Sequence, residues 1–233
     1  MVGRVVRVER VRVLRHELTF RVLHWVIAVL GIILGITGVS ISEYLDLPII
    51  DMGLARNIHI VVGLFFVAFS WLFLYIFIAS GEYNWVSLKR LGYGFEYLMH
   101  EIKLFFKGEH IEEPIKYDIG KRRYIEKVIP TEILSWWGWF LTGLILISTG
   151  LALIYPDELM FINRFWSFLI PDLGGEPTVA TRLVHLFAAG FSLAIFIVHV
   201  YSSWVYGLIG SIIHGYRMEK VVKKKSRKKV VVY

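Results

Sequence analysis

Four stretches of this chain contain no Asp, Glu, Lys or Arg: Val22 to Ser42, Asn57 to Gly81, Ile133 to Pro156 and Leu183 to Tyr216. About 20 residues of helix cross the hydrocarbon core of a bilayer, so each run is long enough to span it. The pattern predicts an all-α integral membrane protein, a bundle of four transmembrane helices over residues 22–42, 57–81, 133–156 and 183–216, with the whole chain as a single membrane domain. The last run has 34 residues and is expected to project beyond the bilayer at one end. Between the second and third runs, Leu91, Phe95, Leu98, Ile102 and Phe105 recur at helical spacing opposite Lys89, Arg90, Glu96, Glu101 and Lys103. That spacing predicts an amphipathic helix, lying on the cytoplasmic face of the membrane or docked against a partner subunit. No segment reads as a soluble domain or an internal repeat. The Pro and Gly residues near 171–177 read as a loop, and the first run is too long, and too closely followed by others, for a cleaved signal.

Composition agrees: 56% of the residues are hydrophobic and 15% aromatic, too apolar for an ordinary water-soluble fold. The chain has no cysteine, which excludes disulfides, iron–sulfur clusters, thiolate-ligated metals and covalent haem attachment within it. Its net charge of +7 does not point to nucleic acid, because the basic residues flank the apolar runs, as membrane topology alone requires. Of the 26 Lys and Arg residues, 23 fall in the arm up to Arg21, the connection from Glu82 to Glu132 and the tail after Tyr216. Both termini are therefore expected in the cytoplasm, and the basic run Lys223 to Lys229 is expected to favour anionic lipid.

The histidines carry the candidate chemistry. Arg21-x-x-His24, Arg56-x-x-His59 and Arg182-x-x-His185 each stand at the edge of an apolar run, and His199 follows His185 by fourteen residues. An imidazole can ligate iron, and an arginine three positions earlier shares its helix face, where it can meet a haem propionate. The alternating spans put His24 and His199 toward the cytoplasm and His59 and His185 toward the outside. Fourteen residues make about 3.9 turns and about 21 Å, so His185 and His199 share a face at different depths. Pairing by depth predicts two bis-histidine haem b sites, His59 with His185 and His24 with His199. The alternative is isolated membrane histidines bonded to Ser, Thr or backbone groups of neighbouring helices. Gly31, Gly35 and Gly38 form a stripe on the face of His24, with Gly63 near His59 and Gly190 near His185. Such positions let a flat porphyrin approach, or let helices pack closely. His16, His100, His110 and His214 lie in polar or junctional sequence and are expected to be solvated.

These residues make the chain resemble the gamma, or cytochrome b, subunit of membrane-bound formate dehydrogenases, and the related b-type cytochromes of nickel–iron hydrogenases and thiosulfate or polysulfide reductases. The resemblance covers nearly the whole chain. It rests on Arg21-x-x-His24-Trp25, Arg56-x-x-His59-x-x-x-Gly63, His185 with His199, and Lys116-Tyr117-Asp118-Ile119-Gly120-Lys121. It implies a prokaryotic cell membrane location and a subunit that is not itself catalytic toward the primary substrate. An outward-facing molybdenum, tungsten or nickel–iron enzyme would feed electrons through an iron–sulfur subunit to the outer haem. The inner haem would then reduce menaquinone or another quinone with protons from the cytoplasm. The family places the quinone near the residue matching His199 and the backbone of an Asn-x-Gly stretch, here Asp118-Ile119-Gly120, where Asp keeps the backbone donors and adds a carboxylate. Two other classes fit the residues less closely. One is a free-standing cytochrome between a soluble donor and quinone. The other is a histidine-based metal or proton transporter, for which intramembrane acids or methionines would be more natural.

Overall fold

The computed structural model describes residues 10–109, 113–171 and 175–221. In chain order the elements are β1 (Arg10–Leu14), α1 (Leu18–Ile41), α2 (Met52–Ala79), two 3-10 turns (Glu82–Val86 and Leu88–Arg90), α3 (Leu91–Lys107), β2 (Lys116–Asp118), β3 (Arg123–Glu126), α4 (Pro130–Ile154), α5 (Met160–Leu169), α6 (Pro177–Val205), α7 (Ile209–His214) and β4 (Tyr216–Lys220). Helices α1, α2, α4 and α6 are long and apolar enough to cross a membrane. Their starts are locally encoded. The Asp51 side chain accepts a hydrogen bond from Leu54 N at 3.0 Å, and Pro130 and Pro177 occupy first turns, where a missing N–H costs nothing.

Close backbone packing is concentrated in two hairpins, α1 along α2 and α4 along α6, with α3 against α4 and α5 against α6. Contact between the hairpins is sparse: α2 meets α4 at a few positions, and α6 makes almost no close backbone approach to α1 or α2. The α6 helix departs from the expected fourth span. It begins at Pro177 and stops at Val205, because Gly207 adopts φ +63°. There Gly207 N and Leu208 N turn back to Trp204 O at 3.0 Å and Ser203 O at 2.8 Å. The helix therefore does not continue to Tyr216. The chain folds back as α7 and β4, burying Leu208 against Ile115 and Ile129.

The fold is mostly helical, as expected, with four short strands added to it among the described residues. At the end of the bundle where both chain arms emerge, β1 pairs antiparallel with β4 and β2 with β3, and Tyr117 bridges to Val221. Charged residues that read only as topology signals knit these pieces together. Glu219, 1% exposed, accepts from Arg15, Tyr124 and Arg217, each at 3.0 Å. Arg15 also donates to Lys127 O at 2.5 Å, Arg217 pairs with Glu113, Lys127 with Glu82, and Arg90 with Glu126 at 2.6 Å. The connections and both arms thus form one polar cap.

The α3 helix lies across the start of α4, where a β-carbon on Gly94 would come within 2.8 Å of Pro130 O. Its expected stripe is divided. Gly94 is buried, Glu101 receives a hydrogen bond from the Tyr206 hydroxyl, and Phe95, Ile102, Phe105 and Phe106 are left exposed. Before the loop read near 171–177 comes a helix that the sequence pattern did not predict, α5, whose Phe161, Phe165, Phe168 and Leu169 share one bare apolar side. The basic run Lys223 to Lys229 and His110 lie outside the described residues.

Removing one partner from a buried ion pair leaves uncompensated charge and costs about 3–5 kcal/mol. Glu219→Ala, which leaves Arg15 without a carboxylate and Arg217 with Glu113 alone, should lower the thermal unfolding midpoint in detergent and expose the β1 and β4 arms to protease. Substitution of exposed Lys103 should change neither.

Candidate functional site

The seven histidines among the described residues separate into distinct environments. His100 and His214 are exposed. His16 is not freely solvated: it stacks on Phe20, and burial, aided by the charges of Arg15 and Lys127, pushes it down to about 2. It therefore stays neutral at physiological pH. The other four meet in pairs across the gap between the hairpins.

His59 of α2 faces His185 of α6 with ring centres 6.3 Å apart and planes inclined by 68°. His24 of α1 faces His199 of α6 with the same 6.3 Å separation and an inclination of 44°. The first pair lies at the far end of the bundle, the second toward the cap. Metal–imidazole bonds run about 2.0–2.1 Å and a ring nitrogen lies roughly 1.1 Å from its ring centre, so two imidazoles trans on one metal put their centres about 6.3 Å apart. Among the described residues, no group of three or more His, Cys, Asp or Glu side chains is placed to hold a metal ion. Two imidazoles alone leave a bare ion underligated, whereas a haem iron brings four nitrogens of its own. The donor set and its spacing fit haem.

The far pair is held by side chains that sequence reading passed over. Thr37 Oγ1 lies 2.9 Å from His59 Nδ1, and Thr149 Oγ1 lies 2.8 Å from His185 Nδ1. In each case the next residue is glycine, and a β-carbon on Gly38 or Gly150 would sit 3.4 Å from Cε1 of the same imidazole. Gly38 thus makes room for His59, not for His24 on its own helix. Gly31 and Gly63 serve the α1–α2 contact, facing Phe66 and Leu34, while Gly35 and Gly190 adjoin open space. Thr-Gly recurs at 37–38, 142–143 and 149–150, and the first and last of these face the far imidazoles. A second lock sits one turn before His185. Thr181 donates to buried Asn163 Oδ1 at 2.7 Å, and Asn163 Nδ2 donates to Ala152 O at 3.2 Å, fixing α5 between α4 and α6.

The pair near the cap is held differently. Trp139 lies 5.0 Å from the His199 ring, and Trp25 meets His24 edge-on at 5.5 Å. His24 Nδ1 is buried with no hydrogen-bond partner. Arg21 is partly committed: its guanidinium donates to Ile213 O at 2.6 Å, while its Nε is buried without a partner. Arg56 and Arg182 are exposed one turn from the far pair. Asp118 accepts from Lys121 N at 3.1 Å, closing its own hairpin turn next to Gly120. Among the described residues, no hydrogen bond or ring contact joins that turn to His24 or His199.

Residues 15–218 match the prokaryotic cytochrome b561 family, and the chain belongs to it. No curated protein matches the sequence. Family and fold together make this a multi-pass membrane cytochrome that binds haem b and carries electrons.

Bulk placed where Gly150 now stands must displace the His185 imidazole, since even a β-carbon there is already in contact. Gly150→Val should cost about one haem equivalent per chain in a pyridine haemochrome assay. Gly35→Ala, facing open space, should retain the wild-type content.

Proposed function

We propose that this cytochrome is the dihaem subunit of a respiratory complex, carrying electrons across the membrane from the iron–sulfur subunit of an outward-facing, formate dehydrogenase-like enzyme to quinone. One observation carries the reading: two histidine pairs with equal 6.3 Å ring separations, at opposite ends of the bundle and both using α6. A b haem with two imidazole ligands has no open position for oxygen or substrate and supplies one-electron transfer. In this reading His59 and His185 hold the outer haem, and His24 and His199 the inner one. Arg56 and Arg182 offer exposed guanidinium groups to propionates of the outer site, and Arg21 offers its remaining donors at the inner site. The charge count puts the cap in the cytoplasm, where the bare side of α3 lies in the interface and the Asp118 to Gly120 turn contributes to a quinone site beside the inner haem. Catalysis on the primary substrate belongs to the molybdenum, tungsten or nickel–iron partner. A hydrogenase or sulfur-compound reductase in that place leaves the chain's own work unchanged. The subunits that co-purify with the chain from native membranes distinguish these complexes.

Purified protein should contain two b haems per chain with low-spin reduced spectra. Substituting Ala for His59 or His185 should remove one centre, and for His24 or His199 the other. Loss of the same centre from His24→Ala and His185→Ala would show that the pairing is wrong.

A hydroxyquinoline-type inhibitor should shift the spectrum or potential of the His24/His199 centre and spare the other. Asp118→Ala should slow quinone reduction while haem content stays near normal. An inhibitor that moved only the His59/His185 centre would put quinone at the opposite membrane face.

A further inference from the structure

We propose that Thr37 and Thr149 tune the His59/His185 centre, fixing both imidazoles as Nδ1–H tautomers and drawing that centre's reduction potential below that of the His24/His199 centre. The inference rests on the two-haem reading and adds a direction to it.

Each threonine hydroxyl has one proton and two lone pairs. Thr37 Oγ1 lies 2.8 Å from Ile33 O, and Thr149 Oγ1 lies 2.6 Å from Ile145 O, each four residues back on its own helix. A helical threonine spends its proton on that carbonyl, which can only accept. The lone pairs are then what face His59 Nδ1 and His185 Nδ1, so both imidazoles must donate from Nδ1. This tautomer leaves each Nε2 with a free lone pair for iron. The opposite tautomer would place a proton on the ligating nitrogen and a lone pair against the hydroxyl oxygen.

Accepting a hydrogen bond from Nδ1–H makes an imidazole more electron-rich and a more basic ligand. A more basic ligand favours ferric over ferrous iron and lowers the potential. Both ligands of the far centre are treated in this way. At the other centre, His24 Nδ1 is buried without an acceptor, so that ligand receives no such enrichment. The asymmetry favours electron movement from the His59/His185 end to the His24/His199 end. Thr37 and Thr149 are positioning residues, since they act on the iron only through the histidines.

The test is a redox titration, in membranes or detergent, of wild type, Thr37→Val, Thr149→Val and the two Thr→Ser variants, with haem content measured on each. Valine keeps the shape and removes the acceptor, while serine keeps the acceptor. In wild type, the centre lost in His59→Ala should be the lower in potential. Either valine variant should raise the potential of that centre alone, its ferric preference falling about tenfold, which is 59 mV for one electron, and serine should restore it. Selective loss of that haem in valine, rescued by serine, also supports the assignment. Two retained haems with unchanged potentials would overturn it. Should the valine variants fail to fold, pulsed EPR of wild type on the Nδ1 nitrogens decides. Distinct hydrogen-bonded couplings at the far centre support the proposal, and identical couplings at both centres overturn it. A wild-type protein with a single haem would instead refute the two-haem reading, leaving the threonines to be judged by whether that haem responds to Thr149→Val.

Discussion

The structure turns on holding imidazoles opposite one another across a space that the backbone does not close. In lipid no hydrophobic force draws helices together, so their positions follow from close contacts of small residues and from hydrogen bonds between polar side chains. Packing each hairpin tightly, α1 on α2 and α4 on α6, while leaving α6 apart from α1 and α2, produces a bundle that is firm within its halves and open between them. An imidazole in such a gap needs a partner for each nitrogen, because an unsatisfied polar group is expensive there. At the far pair one nitrogen of each ring goes to threonine, and the other is left for a metal. The chemistry and the stability of the gap therefore make the same demand.

The two hairpins obey a common plan that their sequences nearly hide. Thr37-Gly38 on α1 faces His59 on α2 as Thr149-Gly150 on α4 faces His185 on α6, with Arg three residues before each histidine. The plan fails at the cap end, and the failure is informative. Thirteen residues before Thr37 stands His24, but thirteen before Thr149 stands Trp136; fourteen after His185 stands His199, but fourteen after His59 stands Phe73. Where the equivalent of the His24/His199 pair would lie, Trp136 stacks on Phe77 at 5.2 Å and Phe77 on Phe73 at 6.1 Å, beside fully buried Ile133. One quasi-equivalent position presents histidines and the other is an aromatic core that ties α2 to α4. The bundle thus gains rigidity on one side of the gap and a second histidine pair on the other.

Helices in lipid must satisfy their backbones internally, and charge-free runs are unmistakable, which is why all four spans were legible in the sequence. The meeting of His24 with His199 and of His59 with His185 was legible for a related reason: helical rise converts residue number directly into position along the helix. What escaped depends on partners far away in sequence. The end of α6 is set by Gly207 and by the burial of Leu208 under Ile115 and Ile129, neither visible in a run that stays apolar to Tyr216. The cap was read as topology because a lysine or arginine count cannot tell a solvated charge from one paired across 204 residues, as Arg15 is with Glu219. Gly38 was assigned to the histidine on its own helix, since a helical wheel holds no information about the neighbouring helix that uses the space. Helix α5 was not anticipated, although Phe161, Phe165 and Phe168 carry helical spacing.

The returning C-terminal segment explains how the pair near the cap is kept in register when α1 and α6 scarcely touch. Leaving α6 at Gly207, the chain passes beneath α1, where Ile212 O accepts from Trp25 Nε1 at 3.2 Å and Ile213 O accepts from Arg21 at 2.6 Å. These bonds bracket His24 in sequence. Gly215, at φ +92°, lets the backbone come so close that a β-carbon would meet His16 O at 3.0 Å and the Arg21 guanidinium at 3.3 Å, and Gly215 O accepts from Arg15 N at 2.7 Å. A helix continued to Tyr216 would have carried these carbonyls away from α1. The break in α6 is therefore part of the site: it ends the helix that bears His199 and supplies the acceptors that hold the helix bearing His24. Threonine fixes the rings of one pair directly, whereas backbone carbonyls fix the helix beneath the other. The His24 imidazole keeps an unpartnered Nδ1, so the two histidine pairs differ in the surroundings of their rings.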